Sequence, residues 1–293
     1  MTQPRSITTP DGRSLDVWLA GPADADPLVF HMGTPSSGMP FDPHVEALAE
    51  RGLRYISWSR PGYGTSSRDE GRSVADVVGD TRAVLDHLGL DEAWILGWSG
   101  GGPHALACAA LMPERVRGTA LIAGVAPYPA EGLDWLAGMG DENIEEFEAA
   151  LAGPAALIPF KERNRPVFMN LTAADVADAL GDLIDDVDRG SLAGDLGEYM
   201  ATSSRECLSG SYWGWFDDDM AIIKPWGFDL GSIPGRVHVW QGAHDRMVPF
   251  AHGQWLAEHV GNACPHLVPE HGHLSLVVDD FPAIVDELIT GAA

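Results

Sequence analysis

Short apolar runs alternate with amphipathic stretches along most of this chain, and that alternation restricts the fold more than any other feature. The apolar runs are PLVFHMG (27–33), LRYISWS (53–59), AWILGWS (93–99), VRGTALIAGV (116–125), RVHVWQGA (236–243) and CPHLVPE (264–270). Between or after them, residues 41–52, 73–90, 102–116, 251–261 and 281–290 repeat apolar side chains at helical spacing. Strands that alternate with helices need crossover connections. Neighbouring strands then run parallel, and helices cover both faces of the sheet. The opening stretch SITTPDGRSLDVWLAG alternates on either side of Pro10-Asp11-Gly12 and predicts a hairpin.

The alternation stops between Tyr128 and Leu230. This stretch carries several short helical patterns and four tryptophans but no convincing strand, and it is too long for a loop. It predicts a helical cap, residues 128–230, inserted into a core made of 1–127 and 231–293. The cap holds 21 acidic and 6 basic residues, so much of the chain's net charge of −25 resides there.

At the end of the third apolar run stands GWSGGG (97–102), with four glycines around one serine. Such a string makes a poor helix and a poor strand, yet a strand precedes it and a helix follows. The order G-x-S-x-G at a strand-to-helix turn is that of a nucleophile elbow. Ser99 would stand clear of the sheet in a strained conformation, with glycine where the turn leaves no room for a side chain. The following helix would aim its free N–H groups at charge developing during attack.

A serine nucleophile needs a base, and in an open parallel sheet functional groups gather beyond the carboxyl ends of the strands. Asp245 follows the strand in VHVWQGAHD, and His273 follows the last strand in PEHGHLS. The expected roles are His273 as base and Asp245 as the acid that orients it. His271 and His244 are competing histidines, and Asp219 in FDDDM is a competing acid. Three adjacent aspartates otherwise read as a solvated run. The oxyanion donors are expected to be the N–H groups of Gly100 and of Thr34, in the loop HMGTPSSG. His31 reads as a structural hydrogen-bonding residue. Candidate pocket residues are Met32, Trp98, Trp135, Trp213, Trp215 and Phe216. No metal-ligand spacing, phosphate-binding glycine loop or cofactor motif is apparent.

Taken together, these segments resemble the α/β-hydrolase superfamily and its capped members. GWSGGG is similar to the nucleophile elbow, and HMGTP to the oxyanion loop. SRPGYGTSS (59–67) is similar to the family's D-R-P-G-x-G-x-S loop, with Ser59 in place of aspartate. GAHDRMVP and HGHLS are similar to its acid and histidine segments. The resemblance implies an α/β-hydrolase fold and a Ser99–Asp245–His273 triad that needs no cofactor. A serine at position 99 argues against the branches that attack with a carboxylate. Four functions are compatible with it. The first is a carboxylic ester hydrolase. The second is a proline-iminopeptidase-like aminopeptidase, with Glu198, Glu206, Asp217 or Asp218 holding the substrate amine. The third is a cofactor-free C–C hydrolase or perhydrolase, and the fourth a non-catalytic binder. Iminopeptidases usually carry G-G-S-W-G, with tryptophan after the serine, whereas here Trp98 precedes it. That difference favours the ester reading.

The large negative charge excludes nucleic acid and anionic membranes as expected partners and leaves a small-molecule substrate. No apolar run spans a bilayer, and the first residues lack a signal-peptide core, so a cytoplasmic protein is expected. Three scattered cysteines fit a reducing compartment.

Overall fold

A computed structural model describes residues 3–192 and 194–291. The predicted hairpin is β1 (Arg5–Thr8) and β2 (Ser14–Ala20). The alternating core follows as β3 (Asp26–His31), α1 (Asp42–Glu50), β4 (Leu53–Ser59), α2 (Val77–His87), β5 (Ala93–Trp98), α3 (Gly102–Leu111) and β6 (Val116–Ile122). Among the described residues six α-helices come next: α4 (Asp141–Ala152), α5 (Pro154–Met169), α6 (Val176–Leu180), α7 (Asp186–Ser191), α8 (Asp195–Cys207) and α9 (Trp213–Ile222). The core resumes with β7 (Val237–Gly242), α10 (Phe250–His259), β8 (Ala263–Val268), α11 (His273–Asp279) and α12 (Phe281–Thr290).

The strands form one sheet in the order β1-β2-β4-β3-β5-β6-β7-β8. β1 and β2 are antiparallel to their neighbours, and every pairing from β4 to β8 is parallel. Strand periodicity explains how both faces are filled. Leu28 and Phe30 pack with Tyr55, Leu96, Ala120, Ile122 and Trp240 on one face, against residues of α1, α11 and α12. Val29 packs with Ile56, Ile95, Leu121 and Val239 on the other, against residues of α2, α3 and α10. Each such fully buried aliphatic side chain contributes roughly 1.5–3 kcal/mol.

The helices between β6 and β7 are anchored through α9. Asp217, Asp218 and Asp219 are 2, 0 and 1 % exposed, so the expectation of a solvated run is overturned. Helical geometry turns successive residues about 100° apart, so each carboxylate meets a different partner. Asp217 pairs with Arg68, Asp218 with Arg60 and Arg72, and Asp219 with Lys161. The loop after β4 makes this docking possible. Gly62 has φ +89°, and a Cβ there would lie 2.7 Å from the backbone nitrogen of Gly214 at the start of α9. Only glycine lets the two backbones approach so closely.

Candidate active site

β5 delivers Ser99 to the carboxyl edge of the sheet. Its φ of +55° is left-handed, a conformation that costs a non-glycine residue about 1–3 kcal/mol. The surrounding packing enforces it. A Cβ on Gly101 would lie 1.9 Å from the carbonyl oxygen of His31, and one on Gly97 would lie 2.6 Å from that of Gly101. The glycines are thus demanded by the passage of α3 beneath β3.

The loop after β3 abuts the elbow. A Cβ on Gly33 would lie 3.3 Å from Ser99 Cβ, and one on Gly100 would lie 3.4 Å from the backbone nitrogen of Thr34. The expected oxyanion donors, on Thr34 and Gly100, therefore belong to two backbones in contact. A buried network holds the loop from behind. Arg60 donates from Nη1 to Met32 O (2.5 Å), and from Nη2 to Gly33 O and Thr34 Oγ1 (2.9 Å each). Thr34 Oγ1 donates to Asp218 Oδ2 at 2.9 Å, and the Tyr63 hydroxyl donates to the same oxygen at 2.8 Å. Burial opposes ionisation of Asp218, but Arg60 and Arg72 outweigh it and hold the carboxyl well below its ordinary range. Two guanidiniums against one carboxylate leave a net positive charge behind the loop. His31 lies behind it too, its Nε2 3.6 Å from Cys108 Sγ, and burial together with the charges of His104 and Arg60 keeps it neutral.

The turn after β7 presents Asp245, which is 4 % exposed and fully bonded. Its Oδ1 accepts from Met247 N (2.9 Å) and Val248 N (2.7 Å). Its Oδ2 accepts from Gln241 Nε2 (2.9 Å) and His273 Nδ1 (2.8 Å). With Nδ1–H donated to Asp245, the Nε2 of neutral His273 carries the free lone pair. Burial disfavours the imidazolium, but the charge and hydrogen bond of Asp245 and the charge of Asp188 outweigh it, so His273 lies above its ordinary value.

Gly33, Thr34, Trp98, Ser99, Gly100 and His273 all line one cavity of about 150 Å³. Two of the three competing groups, His244 and His271, lie outside this cavity, and the third, Asp219, lines it but is paired with a lysine. His244 Nδ1 is 2.7 Å from Asp185, His271 lies against Asp279 and Asp280, and Asp219 faces Lys161. Of the six pocket candidates, Trp98 and Trp215 line the cavity. Met32, Trp135, Trp213 and Phe216 do not. Met32 is packed beneath the sheet, and the Trp135 indole donates to Ala126 O. Trp213 stacks on the Arg68 guanidinium at 3.9 Å, and Phe216 packs on Trp213. Side-chain type alone did not distinguish a helix's cavity face from its packing face.

Three features escaped the sequence reading. Gln241 bridges Asp245 and Val248 O. An amide side chain in a strand buried on both faces was its signal. The cavity's polar end consists of Glu142, Asn143, Glu146 and Asp219, with none of the four cap acids expected to meet an amine. Lys161, fully buried, contacts both Glu146 and Asp219. Burial and the neighbouring charge of Glu146 hold Asp219 well above the ordinary carboxylate range. Finally, strand register brings His238, Cys264 and His266 within 4.8 Å of one another, away from the cavity. His238 Nδ1 and His266 Nε2 are 3.1 Å apart with ring centroids 5.3 Å apart, the geometry of two imidazoles hydrogen-bonded head-on. The Cys108 thiol, buried, is pushed up to about 12 and is no nucleophile at neutral pH.

Comparison with known proteins agrees with this architecture. Non-heme chloroperoxidase of Streptomyces lividans is 30% identical over 249 residues, 84% of each chain. The bifunctional esterase/perhydrolase DCH of Acinetobacter calcoaceticus is 32% identical over 173 residues, 55% of this chain and 61% of that protein. An esterase from Exiguobacterium antarcticum has the same fold, with a TM-score of 0.74 at 21% identity over 99% of both chains. A family model described as the alpha/beta hydrolase fold matches residues 26–160, the span from β3 through the serine turn into α5. By its sheet, by that match and by a relative aligned along most of its length, the chain belongs to the alpha/beta hydrolase family.

Proposed function

We propose that the protein is a serine hydrolase that cleaves a small, largely apolar carboxylic ester through an acyl-enzyme. One observation carries the reading: Ser99, at φ +55°, opens into the same cavity as His273, whose ring is held by Asp245. Ser99 Oγ attacks the ester carbonyl while His273 Nε2 takes its proton. The tetrahedral oxyanion develops toward the Thr34 and Gly100 amides, with the net positive charge of Arg60 and Arg72 behind them. His273 returns the proton to the leaving alcohol, and water then releases the acid by the same steps reversed. The cavity walls, which include Val125, Met139, Phe147, Leu183 and Ile222, suit an apolar acyl or alcohol group. We assign residues 1–127 and 231–293 to the catalytic core and 128–230 to a cap that decides substrate choice.

A second reading has its own support. With Asp219 held well above the ordinary carboxylate range and so neutral, Glu142 and Glu146 against the single Lys161 leave one carboxylate in excess beside the cavity, which suits a substrate amine and hence aminopeptidase chemistry. Perhydrolysis would use the same acyl-enzyme with hydrogen peroxide in place of water.

Turnover of p-nitrophenyl esters from acetate to octanoate, compared with prolyl p-nitroanilide, tests the assignment. The expected outcome is efficient ester cleavage, weak anilide cleavage, and a fall of at least about 10⁴-fold in kcat/KM for Ser99→Ala. Because neutral His273 is the base, kcat/KM falls as pH drops through its raised pKa, placing the acid limb above about 6.5. Preferred anilide cleavage moves the assignment to the second reading, and full activity in Ser99→Ala removes both.

A further inference from the structure

His273 is held at two places, and only one of them belongs to the expected triad. Its ring is fixed by Asp245 and its main chain by Asp188, an aspartate on α7 that exposes none of its surface. Asp188 Oδ2 accepts the backbone N–H of His273 at 2.8 Å. Its Oδ1 accepts the N–H of Leu274 at 3.0 Å and both the N–H and the hydroxyl of Ser275 at 2.8 Å. The first N–H groups of a helix have no partner within it. Here one carboxylate from 85 residues earlier takes three of them, starting at the residue proposed as base. The approach is close enough that a Cβ on Gly272 would lie 2.5 Å from Asp188 Oδ1. Helix α7 is itself tied down by Asp185, which accepts from Val187 N and Asp188 N through Oδ1 and contacts His244 Nδ1 at 2.7 Å through Oδ2. His244 is the neighbour of Asp245. Asp185, the N-cap of α7, and Asp188 within it therefore grip the two loops that carry the acid and the base.

We propose that Asp188 is a positioning residue for proton transfer: by seating α7 on the start of α11, it places His273 for its exchange with Ser99. The proposal rests on the triad reading above. It makes the helical segment between β6 and β7 a working part of the catalytic centre as well as a cover. If α7 lifts away, His273 loses both its main-chain anchor and a negative charge that favours the imidazolium. The charged groups facing the imidazole are Asp245, from the turn after β7, and Asp188, from α7. The Trp98 ring, from β5, lies 5.5 Å from it and carries no charge.

The test compares Asp188→Asn with wild type and Ser99→Ala on one p-nitrophenyl ester across pH. Asparagine keeps the volume and one acceptor but removes the charge and turns an N–H toward backbone donors. The expected result is a kcat lower by roughly 10- to 100-fold with KM within about twofold, because a base displaced by a fraction of an ångström costs rate and not binding. The acid limb of kcat/KM should also move to lower pH, by roughly half a pH unit, because a negative charge that favoured the imidazolium is gone. A structural role alone would reduce the amount of folded enzyme and leave the acid limb in place. Wild-type kcat and pH profile in Asp188→Asn, with Ser99→Ala inactive, overturn the proposal and leave the triad standing. An active Ser99→Ala overturns the triad itself. Should Asp188→Asn fail to fold, Asp185→Asn takes its place, since it loosens α7 from His244 at the surface. A kcat loss of about two- to fivefold at unchanged KM then supports the proposal, and wild-type kcat overturns it.

Discussion

The serine turn and the aspartate run on α9 are both short, conspicuous strings, and they teach different things. Gly97–Gly102 is constrained by close backbone approach: Gly97 meets Gly101 of the turn itself, and Gly100, Gly101 and Gly102 meet Thr34, His31 and Gly124. A strand must reverse into a helix within a few residues, and each missing side chain answers a contact under 3 Å. Asp217–Asp219 is constrained by partners that lie far away in sequence. Arg60, Arg68 and Arg72 come from the loop after β4 and Lys161 from α5, and without them three adjacent carboxylates would be solvated. The first string states its conformation. The second acquires its meaning when the helical segment docks on the core.

Substitutions can break this contrast at either end. The largest effect is expected at the turn. A methyl group on Gly101 would sit 1.9 Å from a main-chain oxygen in a packed core, with nothing flexible to yield. Gly101→Ala should lose at least about 4 kcal/mol in urea unfolding, if native protein is recovered at all. An intermediate effect is expected on α9. Asp218→Asn leaves Arg60 and Arg72 buried without their carboxylate and should cost about 3–5 kcal/mol. Activity should fall as well, because the amide offers one acceptor where the carboxylate offered two, and the network of Thr34, Arg60 and Tyr63 that holds the loop after β3 is weakened.

The sign of the pH effect sharpens this second case. Asp218 ionises well below its ordinary value in the folded protein, so its contribution is fully present above about pH 4 and is lost as pH falls through the folded value. Urea midpoints measured from pH 6 downward should therefore decline more steeply for wild type than for Asp218→Asn. Parallel declines would mean that the carboxylate is not the group responsible. The smallest effect is expected at Trp213, also on α9 but facing Arg68 and not the cavity. Trp213→Ala should change the KM for esters by less than about twofold while lowering Tm. A larger KM change would show that the helix presents more of its surface to substrate than its contacts indicate.

Much of the fold was legible because period-2 and period-3.6 patterns are local properties of the chain. The core strands and the helices α1, α2, α3, α10 and α12 fall where the apolar runs and amphipathic stretches predict them, to within a few residues at their ends, whereas α11, which begins at His273, matches no predicted stretch. Ser99, Asp245 and His273 are candidates by sequence because each follows a strand, and strands of a parallel sheet end on one edge. Only the tertiary structure decided which side chains of the segment between β6 and β7 meet the cavity. That segment presents Trp215, Glu146 and Asp219 to it, while Trp213, Phe216 and Asp217 pack or pair elsewhere. The reason is physical. A helix carries a pattern that says which face is apolar, but nothing local says against which surface that face will be laid. Asp188 is the clearest case. Its sequence context is one more acid in an acidic stretch, and its three backbone hydrogen bonds exist only because α7 lies against a helix whose sequence begins 85 residues later.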